Sequence, residues 1–293
     1  MTNIYSVIIT FNPNVNSVLK LIESLSFQNV KVIIVDNDSR NKNELKNISL
    51  ASVIFLENNF GIAKAQNVGI EQAIQNSADF ILFFDQDSSI PESYVSDLMS
   101  DYMDLETRKE KIGAIGPRFI DDRHNFYYKT INLSKSGFRH KIDVSKISQP
   151  IHSSLLISSG SLISVKTLKE VGMMRENYFI DYVDTEWCIR AEALGFKNFM
   201  SAKAIMRHTI GDKMIQLVFF NVPVHSPFRR YYRVRNAIYM LREPHVPFLL
   251  FFREMIFNFI HQMILVCFEK KKMEYLRSYF NGIRDGVKFD KNN

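Results

Sequence analysis

Cysteine is almost missing from this chain. Cys188 and Cys267 are the only two in 293 residues, far apart and in no metal-ligand spacing. That excludes a disulfide-stapled scaffold and argues against a structural zinc site, and it fits a reducing compartment. Long apolar runs are lacking as well. Arg253, Glu254, Asn258, His261 and Gln262 interrupt the segment from Phe248 to Phe268, so no stretch reaches the ~18 apolar residues expected of a spanning helix. The run Ile4 to Ile9 has no basic residue before it and stops at Thr10-Phe11-Asn12-Pro13, which is not the pattern of a signal peptide. Neither G-x-G-x-x-G nor a Walker A loop follows the first strand, which removes the main support for a dinucleotide or P-loop site. There is no internal repeat and no low-complexity linker.

With 46% hydrophobic and 23% charged residues, the composition is that of a globular protein, and the length suits one large α/β domain with a sizeable appendage. The net charge of +6 is unevenly placed. From Asn221 to Asn293 there are 13 Lys+Arg against 6 Asp+Glu, whereas the first 220 residues hold 24 against 25. Aromatic residues crowd the same basic quarter, which points to an anionic surface as partner. The best internal boundary lies near Gly211-Asp212.

Short β-branched runs alternate with helical patterns over the first 120 residues. Strands are expected at 5–10, 30–35, 53–56 and 80–84, with helices at 15–27 and from Gly61 to about Gln75. Such alternation implies a parallel sheet covered on both faces. Residues 121–149 read as a long loop or hairpin, and 153–165 as a further strand with a tight turn at Gly160. Each early strand stops in polar residues: Thr10/Asn12, Asp36/Asn37, Asn58/Asn59 and Asp85/Asp87. Ligands of open α/β sheets bind beyond the carboxyl ends of the strands, so these ends predict one crevice along that edge.

Asp85-Gln86-Asp87 is the sharpest short motif. Two carboxylates separated by one residue after an apolar strand can hold a divalent cation against a diphosphate, Mg²⁺ and Mn²⁺ preferring oxygen ligands. Helix capping by Asp87 or Ser88 is the structural alternative. A second acidic group is Asp181, Asp184 and Glu186. A helix starting near Asp184 would favour its charged form, and an exposed carboxylate there could take a proton from a hydroxyl; capping of that helix is again the alternative. Arg190 can pair with an acidic neighbour. His208 on its own reads as an ordinary hydrogen-bonded histidine. Arg229, Arg230, Arg233 and Arg235 share a helical stretch, with Arg229 and Arg233 one turn apart, and suit either a phosphate or a solvated face.

In this order the motifs resemble the family 2 glycosyltransferases of GT-A fold. The resemblance runs from about Tyr5 to Tyr239. It rests on Ser6-Val-Ile-Ile-Thr-Phe-Asn12, Val35-Asp36-Asn37, Asn59-Phe-Gly-Ile-Ala-Lys-Ala-Gln-Asn-Val-Gly69, Asp85-Gln-Asp87 and Asp181 to Arg190 with Ala191 to Gly195. Phe84-Asp-Gln-Asp-Ser88, Tyr182 to Cys188, His225 to Asn236 and Gly282-Ile-Arg-Asp-Gly286 are similar to the bacterial rhamnosyltransferases of O-antigen and capsule assembly. The fold implied is a Rossmann-like, mostly parallel sheet flanked by helices. Residues 1–212 would be the nucleotide-sugar-binding and catalytic domain, and 213–293 a basic, aromatic-rich helical region facing a membrane or another subunit.

The activity implied is inverting, metal-dependent transfer of L-rhamnose from dTDP-rhamnose to a lipid-linked saccharide, at the inner face of the cytoplasmic membrane. On this resemblance Thr10, Phe11, Asn12, Asp36, Asn37, Asn59, Gly61, Asn67, Asp85 and Gln86 would hold the nucleotide-sugar. Asp87, with Asp85 and His208, would hold Mg²⁺ or Mn²⁺. Asp184 would be the base, with Trp187 near the acceptor sugar and Arg229, Arg230 and Arg233 near the acceptor or its phosphates. Relatives often carry two adjacent acids where this chain has Val183-Asp184, which leaves Asp181 as a rival base. A UDP-hexose donor is the alternative within the class; a nucleotidyltransferase or a non-catalytic membrane-binding protein is the alternative outside it. For the basic end an anionic membrane is preferred to nucleic acid, and apolar positions 248, 252, 255, 256, 259, 263 and 264 mark an amphipathic helix. Packing of that helix on the domain or on a second copy of the chain is the other use for it.

Overall fold

The computed structural model describes residues 2–121, 125–208, 214–216 and 221–288. Strands and helices alternate first: β1 Ile4–Thr10, α1 Val15–Phe27, β2 Lys31–Asp36, a short α2 Lys42–Leu45, β3 Ala51–Phe55, α3 Ile62–Gln75, β4 Phe80–Asp85, α4 Tyr94–Thr107 and β5 Ile112–Asp121. A two-stranded pair follows, β6 Thr130–Leu133 and β7 Arg139–Ile142, then β8 Ile151–His152, β9 Leu162–Ser164, α5 Val165–Val171, α6 Val183–Ala193 and β10 Lys197–His208. The short pair β11 Met214–Gln216 and β12 Asn221–Pro223 precedes three helices, α7 Pro227–Leu241, α8 Phe248–Phe268 and α9 Lys272–Lys288. The helix expected over 15–27 begins where Asn14 accepts the Ser17 N–H at 3.3 Å.

Among the described residues the main sheet has the order β3-β2-β1-β4-β9-β5-β10-β8. The first four strands are parallel, as is the pair β5–β10. β9 runs antiparallel to both β4 and β5, and β8 antiparallel to β10. The sheet is therefore mostly parallel, as the sequence resemblance implied. The strand expected near Gly160 is only three residues long, and Ser164 ends it by capping α5 through the Thr167 N–H at 3.0 Å.

Strand alternation sends Ile8, Ile34, Leu82 and Phe84 to one face, where α1 contributes Val18, Leu21, Ile22 and Leu25 and α4 contributes Tyr94, Leu98 and Tyr102. Val7 and Val35 occupy the opposite face under α3. Gly69 allows that approach: a Cβ there would stand 2.3 Å from Val7 Cγ1 and 3.3 Å from Val35 Cγ2.

The chain divides into two compact units. The first is Met1–Asn132, Lys141–Phe179 and Val183–His208, and contains the main sheet. The second takes Leu133–His140, Ile180–Tyr182 and Thr209–Asn293. The boundary expected between 212 and 213 lies outside the described residues.

Within the second unit α7, α8 and α9 pack on one another. Ser226 caps α7 by accepting the Arg229 N–H at 3.2 Å, and Pro227 fills the first helical position. α9 lies against α7 through Gly282, where a Cβ would stand 2.7 Å from the Tyr231 carbonyl oxygen. α8 differs from its sequence expectation in two ways. It is one unbroken helix of 21 residues, long and apolar enough to cross a membrane by length and composition, despite its polar interruptions. Its buried stripe, moreover, is Leu250, Glu254, Asn258, Gln262 and Leu265, so the polar residues face inward. They do so because the second unit buries their partners. Glu254 accepts from Tyr182 Oη at 2.7 Å and pairs with Arg139 at 2.8 Å, and Asn258 receives Arg230 Nη1 at 3.1 Å.

Alanine at Gly69 adds roughly 1 kcal/mol of helix propensity but drives a methyl into a packed valine, a clash whose cost, about 3 kcal/mol at so close an approach, outweighs that gain. Gly69→Ala is expected to lower the urea midpoint with no change in m-value.

Candidate active site

Register fixes where the strand ends fall. Thr10 on β1 lies opposite Asp36 on β2, and Ile9 opposite Asp85 on β4, so three polar termini share one edge of the first unit. Asp36 is fully buried and accepts from Thr10 Oγ1 at 3.0 Å, from the Ser39 N–H at 2.9 Å, and from the Ser39 hydroxyl. Three donors satisfy most of the carboxylate's lone pairs, which is what a buried charge requires. Asn12, in the left-handed region at φ 49°, turns its N–H to Ser39 Oγ at 2.8 Å and accepts the Arg40 N–H at 2.9 Å. The two loops after β1 and β2 are thereby sewn together.

The third loop joins through amides. Asn37 donates to Asn59 Oδ1 at 2.9 Å and accepts the Phe60 N–H at 2.9 Å, and Asn59 accepts the Gly61 N–H at 3.0 Å. Gly61 has φ 86°, and a Cβ there would lie 2.6 Å from the Phe179 ring and carbonyl oxygen. The Phe179 carbonyl accepts the Ile62 N–H at 2.7 Å. Asn67 is placed differently from the strand-end residues. Buried on α3, its amide donates to the Met174 carbonyl at 2.8 Å and accepts the Met174 N–H at 2.9 Å, fastening the segment before α6.

Gln86 closes the β1 and β4 ends on each other, accepting the Phe11 N–H at 2.7 Å. Asp85 is half-buried and its N–H donates to Ser159 Oγ at 3.1 Å; Ser159 Oγ also meets Ser88 Oγ at 3.0 Å. Asp87 is exposed, and no hydrogen bond or ion pair occupies its carboxylate among the described residues. His208 ends β10 in register with Asp121; its side chain lies outside the described residues. Phe11 and Phe60 are exposed aromatic rings on the edge loops. Sequence reasoning singled out Phe11 but passed over Phe60 and the bracing serines 39 and 159. The Asn59-Phe60-Gly61 string carried the signal for Phe60, while a serine's tertiary partner leaves no pattern in sequence.

Asp184 lies in the first turn of α6, half-buried, its Oδ1 accepting the Thr185 N–H at 2.7 Å. It lines a small pocket of the first unit with Phe83, Leu156, Ser158, Ser161 and Trp187. Trp187 is buried and donates its indole N–H to the Gly172 carbonyl at 2.8 Å. Glu186, with no exposed surface, pairs with Arg175 at 2.9 Å and Arg190 at 2.8 Å. Arg190 continues to the Val171 carbonyl at 2.5 Å and the Met173 carbonyl at 2.8 Å, so it pairs with an acidic neighbour and also ties down the preceding loop. Cys188 is buried in the same pocket wall, and burial pushes its thiol pKa far up.

The other acidic and basic candidates belong to the second unit. Asp181, at φ 64°, has its carboxylate engaged by Arg229 at 3.1 Å and Arg233 at 3.6 Å. The one-turn spacing of those arginines is what lets both reach it. Asn236 holds the same stretch from behind, donating to the carbonyls of Ile180 at 2.7 Å and Asp181 at 3.0 Å. Arg230 takes another direction from its neighbours. Fully buried, it donates to the Asn258 side chain at 3.1 Å and main chain at 3.0 Å, and burial next to Arg233 lowers its pKa to about 10.

Residues 6–172 match the model of the family described as Glycosyl transferase family 2. The chain is 43% identical over 289 residues to the dTDP-rhamnosyl transferase RfbF of Shigella flexneri, covering 98% of this chain and 96% of that protein. Among solved structures, S. aureus TarS 1–349 is 17% identical with a TM-score of 0.57, over 98% of this chain and 80% of that one. GalNAc-T7, crystallised with UDP, GalNAc and Mn²⁺, is 12% identical with a TM-score of 0.58; the match covers 92% of this chain and 58% of the longer one. The fold is that of the GT-A glycosyltransferases. By the matched domain and the near full-length relative, the chain belongs to glycosyltransferase family 2, and it is an enzyme of that class.

His225 and His261 of the second unit carry a pH signature. Burial pushes both imidazoles down to about 4, helped at His225 by the charges of Arg229, Arg233 and Arg230 against Asp181, and at His261 by those of Arg230 and Arg233 against its hydrogen bond to the Pro223 carbonyl. Unfolded imidazoles titrate near 6.5, so as pH falls below that value the unfolded chain binds protons that the folded chain does not. Stability is expected to drop from pH 6.5 toward 4 and stop changing with these groups below that. Urea unfolding between pH 6.5 and 5, above most carboxylate titrations, reads the slope, and His225→Gln is expected to flatten it.

Proposed function

We propose that the enzyme transfers L-rhamnose from dTDP-rhamnose, with inversion, to a hydroxyl of a lipid-linked saccharide during surface polysaccharide (O-antigen or capsule) assembly. The supporting observation is the end-to-end identity with a dTDP-rhamnosyl transferase, joined to a sheet edge whose polar ends are already locked together. The enzyme acts at the inner face of the cytoplasmic membrane, as a peripheral protein, because its acceptor is carried there.

In this reading the buried Asp36, with Thr10 and Ser39, holds the loops in place, and Asn12, Asn37, Asn59 and Gly61 present amides and main chain to the nucleotide. The exposed rings of Phe11 and Phe60 offer faces on which a base can stack. Asp85 and Gln86 meet the sugar end of the donor. Asn67 acts from α3, holding the Met174 segment that leads to α6.

The residues present fit a divalent cation: Asp87 offers an exposed carboxylate with no partner among the described residues and Asp85 a second set of oxygens two positions away, which is the hard-oxygen donor set of Mg²⁺ or Mn²⁺. Asp87, Asp85 and His208 would hold it. When bound, such an ion neutralises negative charge on a departing nucleoside diphosphate.

Asp184 is the base. From the first turn of α6, half-buried at the wall of a small pocket, it would receive the acceptor hydroxyl's proton as that oxygen attacks the anomeric carbon. Inversion needs a single base and no enzyme nucleophile. Asp181 suits that task less well, because two guanidinium groups already engage its oxygens. Arg229 and Arg233, half-exposed, are the groups that would turn to acceptor or donor phosphates, and Trp187 backs the acceptor pocket. Arg230 supports them from inside through α8.

Calorimetric titration with dTDP-rhamnose, UDP-glucose and UDP-N-acetylglucosamine, with and without Mg²⁺ or Mn²⁺, tests the donor. Metal-dependent binding of dTDP-rhamnose alone is expected; preference for a UDP-sugar overturns the rhamnose assignment and keeps the glycosyltransferase. Asp184→Asn is expected to lower kcat by about 10²–10⁴-fold with donor affinity unchanged. A matching loss in Asp181→Asn, with Asp184→Asn active, would move the base to Asp181. Asp87→Ala is expected to abolish metal-dependent donor binding without shifting the thermal midpoint by more than about 2 °C.

A further inference from the structure

α8 is built inside out. Its exposed positions are Phe248, Leu249, Phe252, Ile256, Phe257, Phe259, Ile260, Met263, Cys267 and Phe268, without a charge or an amide among them. Its carboxylate and both its amides, Glu254, Asn258 and Gln262, are buried. A helix of a water-soluble domain shows the reverse distribution. Scattered exposed leucines need no explanation, but a continuous apolar, phenylalanine-rich face along 21 residues does. After Glu269 come three lysines, Lys270, Lys271 and Lys272, all exposed. Arg253, half-exposed on the helix, lies over the Phe257 ring at 4.2 Å from its centroid.

We infer that this outward face of α8 is a lipid-docking surface that lies flat in the interface of an anionic bilayer, with Phe252, Ile256 and Phe259 at its centre and Lys270–Lys272 against the headgroups. The inference rests on the membrane location proposed above and names the surface that achieves it. The helix is long enough to span a bilayer, yet it does not, because its inner face is occupied. Glu254 is held by Tyr182 and Arg139, and Asn258 by Arg230, within the second unit. Crossing would strip these groups of their partners in a solvent that offers none. Lying in the interface keeps them and removes only the phenylalanine face from water. Charge selects the occupant. Residues 221–293 carry 13 basic against 6 acidic side chains, which an anionic leaflet complements and which a second copy of the same segment would repel.

The test needs neither donor nor acceptor, so it can fail while transfer survives, and the converse. Cys267 is exposed near the end of the face and Cys188 is buried, so a polarity-sensitive maleimide dye labels the native chain at Cys267. On phosphatidylcholine vesicles containing 30 mol% phosphatidylglycerol (a chosen probe composition), the dye is expected to shift to the blue and the protein to float with the vesicles. Pure phosphatidylcholine or high salt should weaken both effects. Phe252→Ser/Ile256→Ser/Phe259→Ser is expected to weaken partitioning by ~100-fold, since each exchange removes about half of a large side chain's transfer free energy. Lys270→Glu/Lys271→Glu/Lys272→Glu, altering only exposed positions, should abolish the preference for anionic vesicles.

Two results overturn the proposal. One is a native protein that stays in the bottom fraction with every vesicle. The other is sedimentation velocity showing a dimer that the serine triple variant dissociates, which would assign the face to a second copy.

Discussion

The parallel register of β1 with β2 and β4 is the constraint on which the rest depends. Because Thr10 is opposite Asp36 and Ile9 opposite Asp85, the first polar residue after each apolar run arrives at the same edge. A shift of one residue in any of these strands would turn its side chains to the other face and bury a carboxylate without donors. The Thr10–Asp36 hydrogen bond and the Asn37 N–H to Thr10 carbonyl bond, at 2.8 Å, then make that edge a fixed piece of structure and not three independent loops. Everything placed on it, from the Asn37–Asn59 pair to the Asp85-Gln86-Asp87 turn, inherits its position from the sheet.

Much of this was legible in the sequence, for a physical reason. A parallel strand buried on both faces must be apolar throughout, so its end is marked by the first polar residue, and Asp36 and Asp85 announce themselves. Gly61 is a signal of the same kind for the start of α3, although Phe179, for which its missing Cβ leaves room, lies far away in the chain. The orientation of β9 was not legible, because Leu162–Ser164 reads the same in either direction. Nor was the bracing by Ser39 and Ser159, whose partners lie in other segments. α8 shows the limit most clearly. Its apolar period was readable, but periodicity says only that two faces differ, and which one turns inward was decided by Tyr182, Arg139 and Arg230, far away in the chain.

Buried charge recurs in both units, and in each it serves position. Glu254 with Arg139, and Glu186 with Arg175 and Arg190, bury carboxylates that desolvation alone would make costly. Such pairs contribute little net stability compared with apolar side chains of the same volume. What they add is direction. A leucine in place of Glu186 could pack in several ways, whereas a carboxylate that must meet two guanidinium groups accepts one arrangement.

That bears on the base. Asp184 stands two residues before Glu186 in the first turns of α6, where helices ordinarily fray. Here the turn is held by Glu186 beneath it, by the Trp187 indole on the Gly172 carbonyl, and by Arg190 on the carbonyls of Val171 and Met173. Asn67 fastens the same stretch to α3 through Met174. The carboxylate proposed to take the proton is thus the half-buried member of a turn whose neighbours Glu186, Trp187 and Arg190 are each held by partners outside it. Such an arrangement holds a general base in place at the pocket wall. Proton transfer demands that combination, because a base that can swing away from the hydroxyl loses more in orientation than it gains in reach.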